Sequence, residues 1–410
     1  MTLEPDATVV SFTDWLRRNH GDVDRRARFV SVPSGFQVVA ETEIPSDTAV
    51  VSCPFSLVVT KKLAKEALLK ILCLPQSDLD SWSERQCIAS YIGFHFILDG
   101  ESCKDLLHHP YVKMLPSRDK LRTALHFTPE ERELFKGSNL YGAIYDRENE
   151  WRMEWIKCQG VISAVNEDWG RKFSWELFLA SSTYISSRAF PSTLLSPNPS
   201  LQPSPTAEPV LLPGVDSLNH ARGKPVTWTV SYPDASTNLL EPQISLVLRY
   251  PAAPREELLN NYGVKPNSEL ILGYGFSISD NPDDTILLKV GGGGQDTKKW
   301  EIGRSAQGMD GLWQEIVSLL QETGSTPTYE DELEASSVLG DMVRSLITRL
   351  PPAKQDFNPA QVRPDVVKMY QDYIEGQHDI LDSVLAFANE KERVAIERAR
   401  EEGVELVFED

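Results

Sequence analysis

Apolar positions along this chain switch between two periods. Residues 8–19 place Phe12, Trp15 and Leu16 on one side, the spacing of a short amphipathic helix. From Phe29 to Thr60 the texture changes. Val30, Val32, Val38 and Val39, then Val50, Val51, Leu57, Val58 and Val59, are broken by Pro33-Ser34-Gly35 and Pro45-Ser46-Asp47, which predicts strands joined by turns. Helical spacing takes over from Lys61 to about Tyr184, first through Leu63, Ala67, Leu68 and Ile71. It continues through Cys87, Tyr91, Phe94 and Leu98, with Asp99-Gly100 as a stop. Thr128-Pro129-Glu130-Glu131 marks a helix start, with a capping hydroxyl, a proline where no N–H is needed and carboxylates in the first turn. Further helices are predicted from Arg147 to Val165 and from Ser174 to Ile185.

Residues 191–210 hold six prolines among Ser, Thr and Asn, the composition of an exposed, flexible loop. Strands resume at Val226–Val230 and Ile244–Leu248. After Leu287-Leu288-Lys289-Val290, the run Gly291-Gly292-Gly293-Gly294 predicts a mobile turn; it lacks the Gly-Lys-Ser/Thr ending of a phosphate loop. From Gly311 helices are expected over 311–322, 331–349, 363–388 and 389–402. The class is therefore α+β, one β unit interrupted by a helical insertion and followed by a helical domain. The divisions fall at 1–60, 61–180, 181–295 and 296–410.

A chain of 410 residues exceeds one ordinary core. Its net charge of −19 argues against general affinity for nucleic acid or anionic membrane and suits a partner with a basic segment. The cysteines Cys53, Cys73, Cys87, Cys103 and Cys158 are scattered, as free thiols in a reducing compartment would be. No basic region followed by an apolar run opens the chain, and no stretch is apolar over membrane-spanning length. A soluble intracellular protein is expected, cytoplasmic and nuclear in distribution and monomeric.

The chain has no Gly-x-Ser-x-Gly elbow, His-Glu-x-x-His pair or full dinucleotide fingerprint, so hydrolytic and redox readings start weak. His108-His109 lies beside Pro110 without ligand partners at useful spacing, which favours a surface or loop position. The informative stretch is 209–284. It contains Leu211-Leu212-Pro213-Gly214-Val215-Asp216-Ser217-Leu218-Asn219-His220, then Asn261-Tyr262-Gly263, Gly273-Tyr274-Gly275-Phe276 and Asn281-Pro282-Asp283-Asp284. Val210–Leu212 predicts a buried strand, after which Asn219 and His220 either cap a turn and fill the core or present main-chain groups to a ligand. Two Tyr-Gly pairs twelve residues apart could bring two phenols into one apolar pocket, although an isolated Tyr-Gly more often simply packs. Such a pocket would suit methyl transfer to an amine, which needs alignment more than acid or base.

Together these motifs resemble the C-terminal half of a SET domain, the methyl-transferring fold of the Rubisco large-subunit methyltransferase class. The resemblance implies a β core with a pseudoknot near Asn219, a helical insertion and an α-helical C-terminal substrate-binding domain. It implies S-adenosyl-L-methionine as cofactor and protein-lysine N-methylation as the activity, with a ribosomal protein or translation factor among the substrates of the class. Asp216-Ser217-Leu218-Asn219-His220 is similar to the family's Asp-x-x-Asn-His motif, so that Asn219 and His220 would hold the adenine end and Asp216 would face the substrate. Tyr262 matches the catalytic tyrosine and Tyr274 the second tyrosine of the lysine channel; both would be catalytic and substrate-binding. Phe276 matches an aromatic beside the cofactor. Arg188, in Ser186-Ser187-Arg188-Ala189-Phe190, would meet the cofactor carboxylate, and Ser34, Gly35 and Phe36 occupy the place of a Gly-x-Gly turn beside the methionine portion. No metal is implied.

Two departures stand out. Gln37 replaces a usual second glycine and would either crowd the cofactor or point outward. Arg255-Glu256-Glu257 stands where Gly-Glu-Glu is usual. Histidine as the methyl acceptor, and a catalytically silent protein-binding module, remain open at this stage.

Overall fold

A computed structural model describes residues 6–98, 103–202, 204–234, 239–290, 298–321 and 326–406. The Asp99-Gly100 stop and the Gly291–Gly294 run lie outside the described residues. The chain forms two compact units: Met1–Leu121 with Glu148–Gly263, and Arg122–Arg147 with Val264–Asp410. These divisions differ from those drawn on sequence. Residues 122–147 and 264–290 pack with the C-terminal helices, because their buried polar and apolar groups find partners there.

In the first unit a four-stranded antiparallel sheet runs Asp22–Val23, Thr48–Pro54, Gln243–Leu248, Val226–Ser231. Val50, Val51, Ile244, Leu246 and Leu248 are buried, so the sheet carries one face of the core. Ala27–Val32 and Gly35–Ala40 form the hairpin that the Pro33-Ser34-Gly35 turn predicts. The second hairpin strand is held from its other edge, where the Leu258 N–H donates to Val38 O at 2.8 Å and the Ala40 N–H to Glu256 O at 2.8 Å. Next in line, Leu259–Asn260 pairs in parallel with Asn219–His220. Parallel pairing of segments forty residues apart marks the place of the expected pseudoknot.

The helices of this unit include Ala7–Arg18, Lys61–Leu72, Glu84–Ile97 and Trp175–Arg188. Glu84–Ile97 is buried almost all round, and a Cβ at its Gly93 would come 2.9 Å from the Phe173 ring. The histidines depart from expectation. His108 is buried, not at the surface: its Nε2–H donates to Leu57 O at 3.0 Å and its Nδ1 accepts from the Tyr91 hydroxyl at 2.7 Å. Burial pushes His108 down to about 4 and His95 to about 3. The proline-rich segment is also more ordered than its composition suggests. Phe190–Pro191 pairs with Pro209–Val210, and Leu194 between them is fully buried.

In the second unit, Thr128 caps its helix reciprocally with Glu131, as the local sequence predicts. Glu131 is buried and pairs in two-pronged fashion with Arg363, at 2.8 and 2.6 Å. The hairpin Thr285–Val290 with Lys298–Gly303 precedes helices Met309–Leu320, Tyr329–Arg349 and Pro364–Glu401. The two helices expected over 363–402 are one, since no proline or glycine stop interrupts Ala388 to Lys391. Likewise the helix expected from Arg147 begins at Asn139. No helix among the described residues is long and apolar enough to cross a membrane.

Candidate functional site

The first unit contains a cleft lined by Phe29, Phe36, Tyr111, Met114, Leu115, Arg188 and Ser217. Gly35 opens the strand beneath it with φ +136°, a backbone geometry that side chains rarely adopt. A Cβ there would press to 3.3 Å of Pro116. Side chains alternate along a strand. Phe36 and Val38 therefore share a face with their cross-strand neighbours Ser31 and Phe29, while Gln37 sits with Val30 and Val39 on the other. The substitution at Gln37 thus leaves the cleft face clear.

Arg188 ends the helix Trp175–Arg188 at the cleft. Its Nη1 donates to the main-chain oxygen of Asp216 at 3.1 Å and lies 3.6 Å from the Asp216 carboxylate. Tyr111 donates its hydroxyl hydrogen to that same carboxylate oxygen, Oδ2, at 2.6 Å. Burial pulls the Asp216 carboxyl above its ordinary range, while Arg188 and Tyr111 act in the other direction. Burial would also depress Arg188, but the neighbouring Asp216, Tyr111 and Tyr262 more than offset it and the guanidinium stays charged. Asp216 does not meet the expectation of a substrate contact. Its carboxylate is wholly enclosed: Oδ2 accepts from Tyr111 and lies 3.6 Å from Arg188, while Oδ1 has no hydrogen-bond partner among the described residues.

Asn219 and His220 form the two-residue strand beside Leu259–Asn260. Asn219 Nδ2 donates to Glu257 Oε1 at 2.8 Å. The Tyr262 N–H donates to His220 Nδ1 at 3.0 Å, so that nitrogen carries no proton. The two rings stack with centroids 5.0 Å apart, and the Tyr262 hydroxyl donates to Leu218 O at 2.9 Å. Tyr262 is therefore held at its amide, ring and hydroxyl by the 218–220 segment. The sequence reading gathered Ser34, Gly35, Phe36, Arg188, Asp216, Asn219, His220, Tyr262, Tyr274 and Phe276 at one site; the structure has all of them in the first unit except Tyr274 and Phe276. The sequence reading assigned no role to Tyr111, Met114 and Leu115, which line the cleft.

Tyr274 and Phe276 belong to the second unit, at the end of the wide helical turn Leu270–Tyr274. Their rings lie 6.2 Å apart in an edge-on arrangement. Burial and the charge of Glu269 raise the Tyr274 phenol, so it is neutral. Gly275 follows with φ +84°, and a Cβ there would lie 2.7 Å from the Arg122 carbonyl carbon. The Asn281-Pro282-Asp283-Asp284 motif is structural. Asp284 Oδ1 accepts the Asn267 N–H at 2.7 Å, and Arg304 joins Asp284 to Glu375 and Asp379. Among the described residues no group of His, Cys, Asp and Glu could hold a metal ion.

This architecture is that of a SET domain followed by a helical domain. It superposes on the SET domain of LSMT bound to lysine and AdoHcy with a TM-score of 0.75, over 95% of this chain and 93% of that one, at 16% identity. Rubisco LSMT bound to AdoMet gives 0.73 over 99% and 98%, again at 16% identity. The fold is thus shared with the Rubisco large-subunit methyltransferases. The ribosomal lysine N-methyltransferase set10 of Schizosaccharomyces pombe (strain 972 / ATCC 24843) is 30% identical over 254 residues, 62% of this chain. The chain spans 41% of the length of that relative. No protein-family model matches the chain.

Proposed function

We propose that this chain is an S-adenosylmethionine-dependent protein-lysine N-methyltransferase acting on a ribosomal protein or translation factor. The observation that carries the reading is the three-point hold on Tyr262 beside the Asn219–His220 strand, in the unit that also places Arg188 at an apolar cleft. The residues present fit the cofactor. A guanidinium at a cleft walled by Phe29, Phe36, Met114 and Leu115 matches a ligand with a carboxylate at the end of an apolar chain. Arg188 would take that carboxylate, Ser34, Gly35 and Phe36 the methionine portion, and Asn219 and His220 the adenine end. When bound, the cofactor supplies a sulfonium methyl group open to in-line displacement by a neutral amine.

The chain's part in such a reaction is alignment. Tyr262 donates its only hydroxyl hydrogen to Leu218 O, so toward a substrate amine the phenol oxygen would act as an acceptor of its N–H and aim its lone pair. Apolar walls favour the uncharged lysine by withholding hydration from the ammonium. Tyr274 and Phe276 carry their roles on motif alone, as second channel tyrosine and cofactor-side aromatic. The acidic chain suits a basic protein surface as partner.

Incubating the protein with methyl-labelled cofactor and an extract from cells lacking it tests the reading. Methyl-lysine in a ribosomal protein or translation factor, mapped by mass spectrometry, is expected. Methyl-histidine would move the acceptor, and an unlabelled extract would overturn the activity.

A further inference from the structure

Tyr111 is absent from the motifs that define the cofactor residues, yet it sits where it can govern Arg188. A guanidinium and a carboxylate this close ordinarily close into a two-pronged pair with N···O distances of about 2.7–2.9 Å. Here the nearest approach, Arg188 Nη1 to Asp216 Oδ2, is 3.6 Å, and one Nη1 hydrogen goes to the Asp216 main-chain oxygen. Oδ2 is already engaged by the Tyr111 hydroxyl at 2.6 Å, while the buried Oδ1 has no hydrogen-bond partner among the described residues. Arg188 Nε and Nη2 bond nothing among the described residues, and the side chain keeps 23% of its surface open. The Tyr111 ring is itself buried, 6.5 Å from Phe12, so its hydroxyl is fixed in place.

We propose that the Tyr111 hydroxyl is a positioning group that holds the Asp216 carboxylate off Arg188, leaving two edges of the guanidinium open for the carboxylate of the bound ligand. Without that hydroxyl, Asp216 turns onto Arg188 and fills the site with an internal pair. The inference rests on the cofactor reading above and deepens it, since it makes recognition of the ligand's amino-acid end depend on a residue that need not touch it.

The test compares two ligands by calorimetric titration. S-adenosylhomocysteine carries the amino-acid end, and 5′-methylthioadenosine lacks it. Tyr111→Phe removes only the hydroxyl and is expected to weaken the first about tenfold, the loss of one charge-assisted bond, while changing the second less than about twofold. In an Asp216→Asn background the same hydroxyl loss should cost little, because an amide does not compete for the guanidinium. Equal weakening of both ligands, or additive effects of the two substitutions, would mean that Tyr111 only supports the shape of the cleft, and the inference fails. Wild-type protein that binds both ligands, with a Tyr111→Phe variant that binds them identically, sinks this inference alone. Wild-type protein that binds neither sinks the proposed function and this inference with it.

Discussion

At the residue scale the motifs sort into those that face the cleft and those that hold it. Tyr262 is held at three points, so removing its hydroxyl leaves amide and ring in place. Tyr262→Phe is therefore expected to lower kcat by about 100-fold or more while the cofactor Kd moves less than about threefold, because only amine alignment is lost. Steady-state kinetics beside a binding titration check this, and parallel loss of both would contradict the assignment. Asn219, His220 and Arg188 were legible as motif members, and the structure has all three in the first unit. Asp216 was legible only as a motif member. Its enclosure follows from Tyr111, more than 100 positions away, and no local pattern announces such a partner. His108 was misread for the same reason, since its partners Tyr91 and Leu57 lie on separate elements.

At the element scale, capping and turn chemistry were the most readable features. The Thr128 cap, the Pro33-Ser34-Gly35 hairpin and the Val226–Ser231 and Gln243–Leu248 strands all fall close to where local pattern places them. The C-terminal helix was split in two because its buried stripe thins after Ala388 to the small residues Ala395 and Ala399 among charged neighbours, although the backbone has no reason to stop. The turn after Leu270–Tyr274 shows what a single glycine secures. Gly275→Ala places a Cβ against the backbone of Arg122 in a left-handed conformation, and backbone cannot swing aside as a side chain can. A loss of about 2–4 kcal/mol is expected. Gly142→Ala, which meets nothing within 4 Å inside the helix Asn139–Val165, should instead be neutral or stabilising by up to about 1 kcal/mol. Denaturant midpoints of the two variants decide; equal shifts would refute the steric argument.

For the whole molecule, the alternation of strand and helix texture revealed the class, but the grouping of segments into units was hidden. That grouping depends on which buried charges find each other, such as Glu131 with Arg363 and Asp284 with Arg304. Buried histidines set an acid limit on stability. His95, His108 and His126 have folded values pushed to about 3, about 4 and about 4, against roughly 6.5 in an unfolded chain. As pH falls below about 6.5 the unfolded state takes up protons that the folded state refuses, so stability drops between about 6.5 and 4, by up to ~3 kcal/mol per site. Asp284, raised to about 6, works the other way and offsets part of the loss. The denaturant midpoint is expected to fall from pH 7 to pH 5, and less so in His95→Gln/His108→Gln. An undiminished fall would show that other groups carry the acid sensitivity.

Strand parity at Gln37 has a practical use. Because that side chain hangs from the hairpin on the side away from the cleft, a fluorophore or spin label attached there after Gln37→Cys would ride one peptide from Phe36 without entering the cleft. The position where the family resemblance implies a second glycine is thus a natural place to watch, by spectroscopy, whether the hairpin moves when a ligand is added.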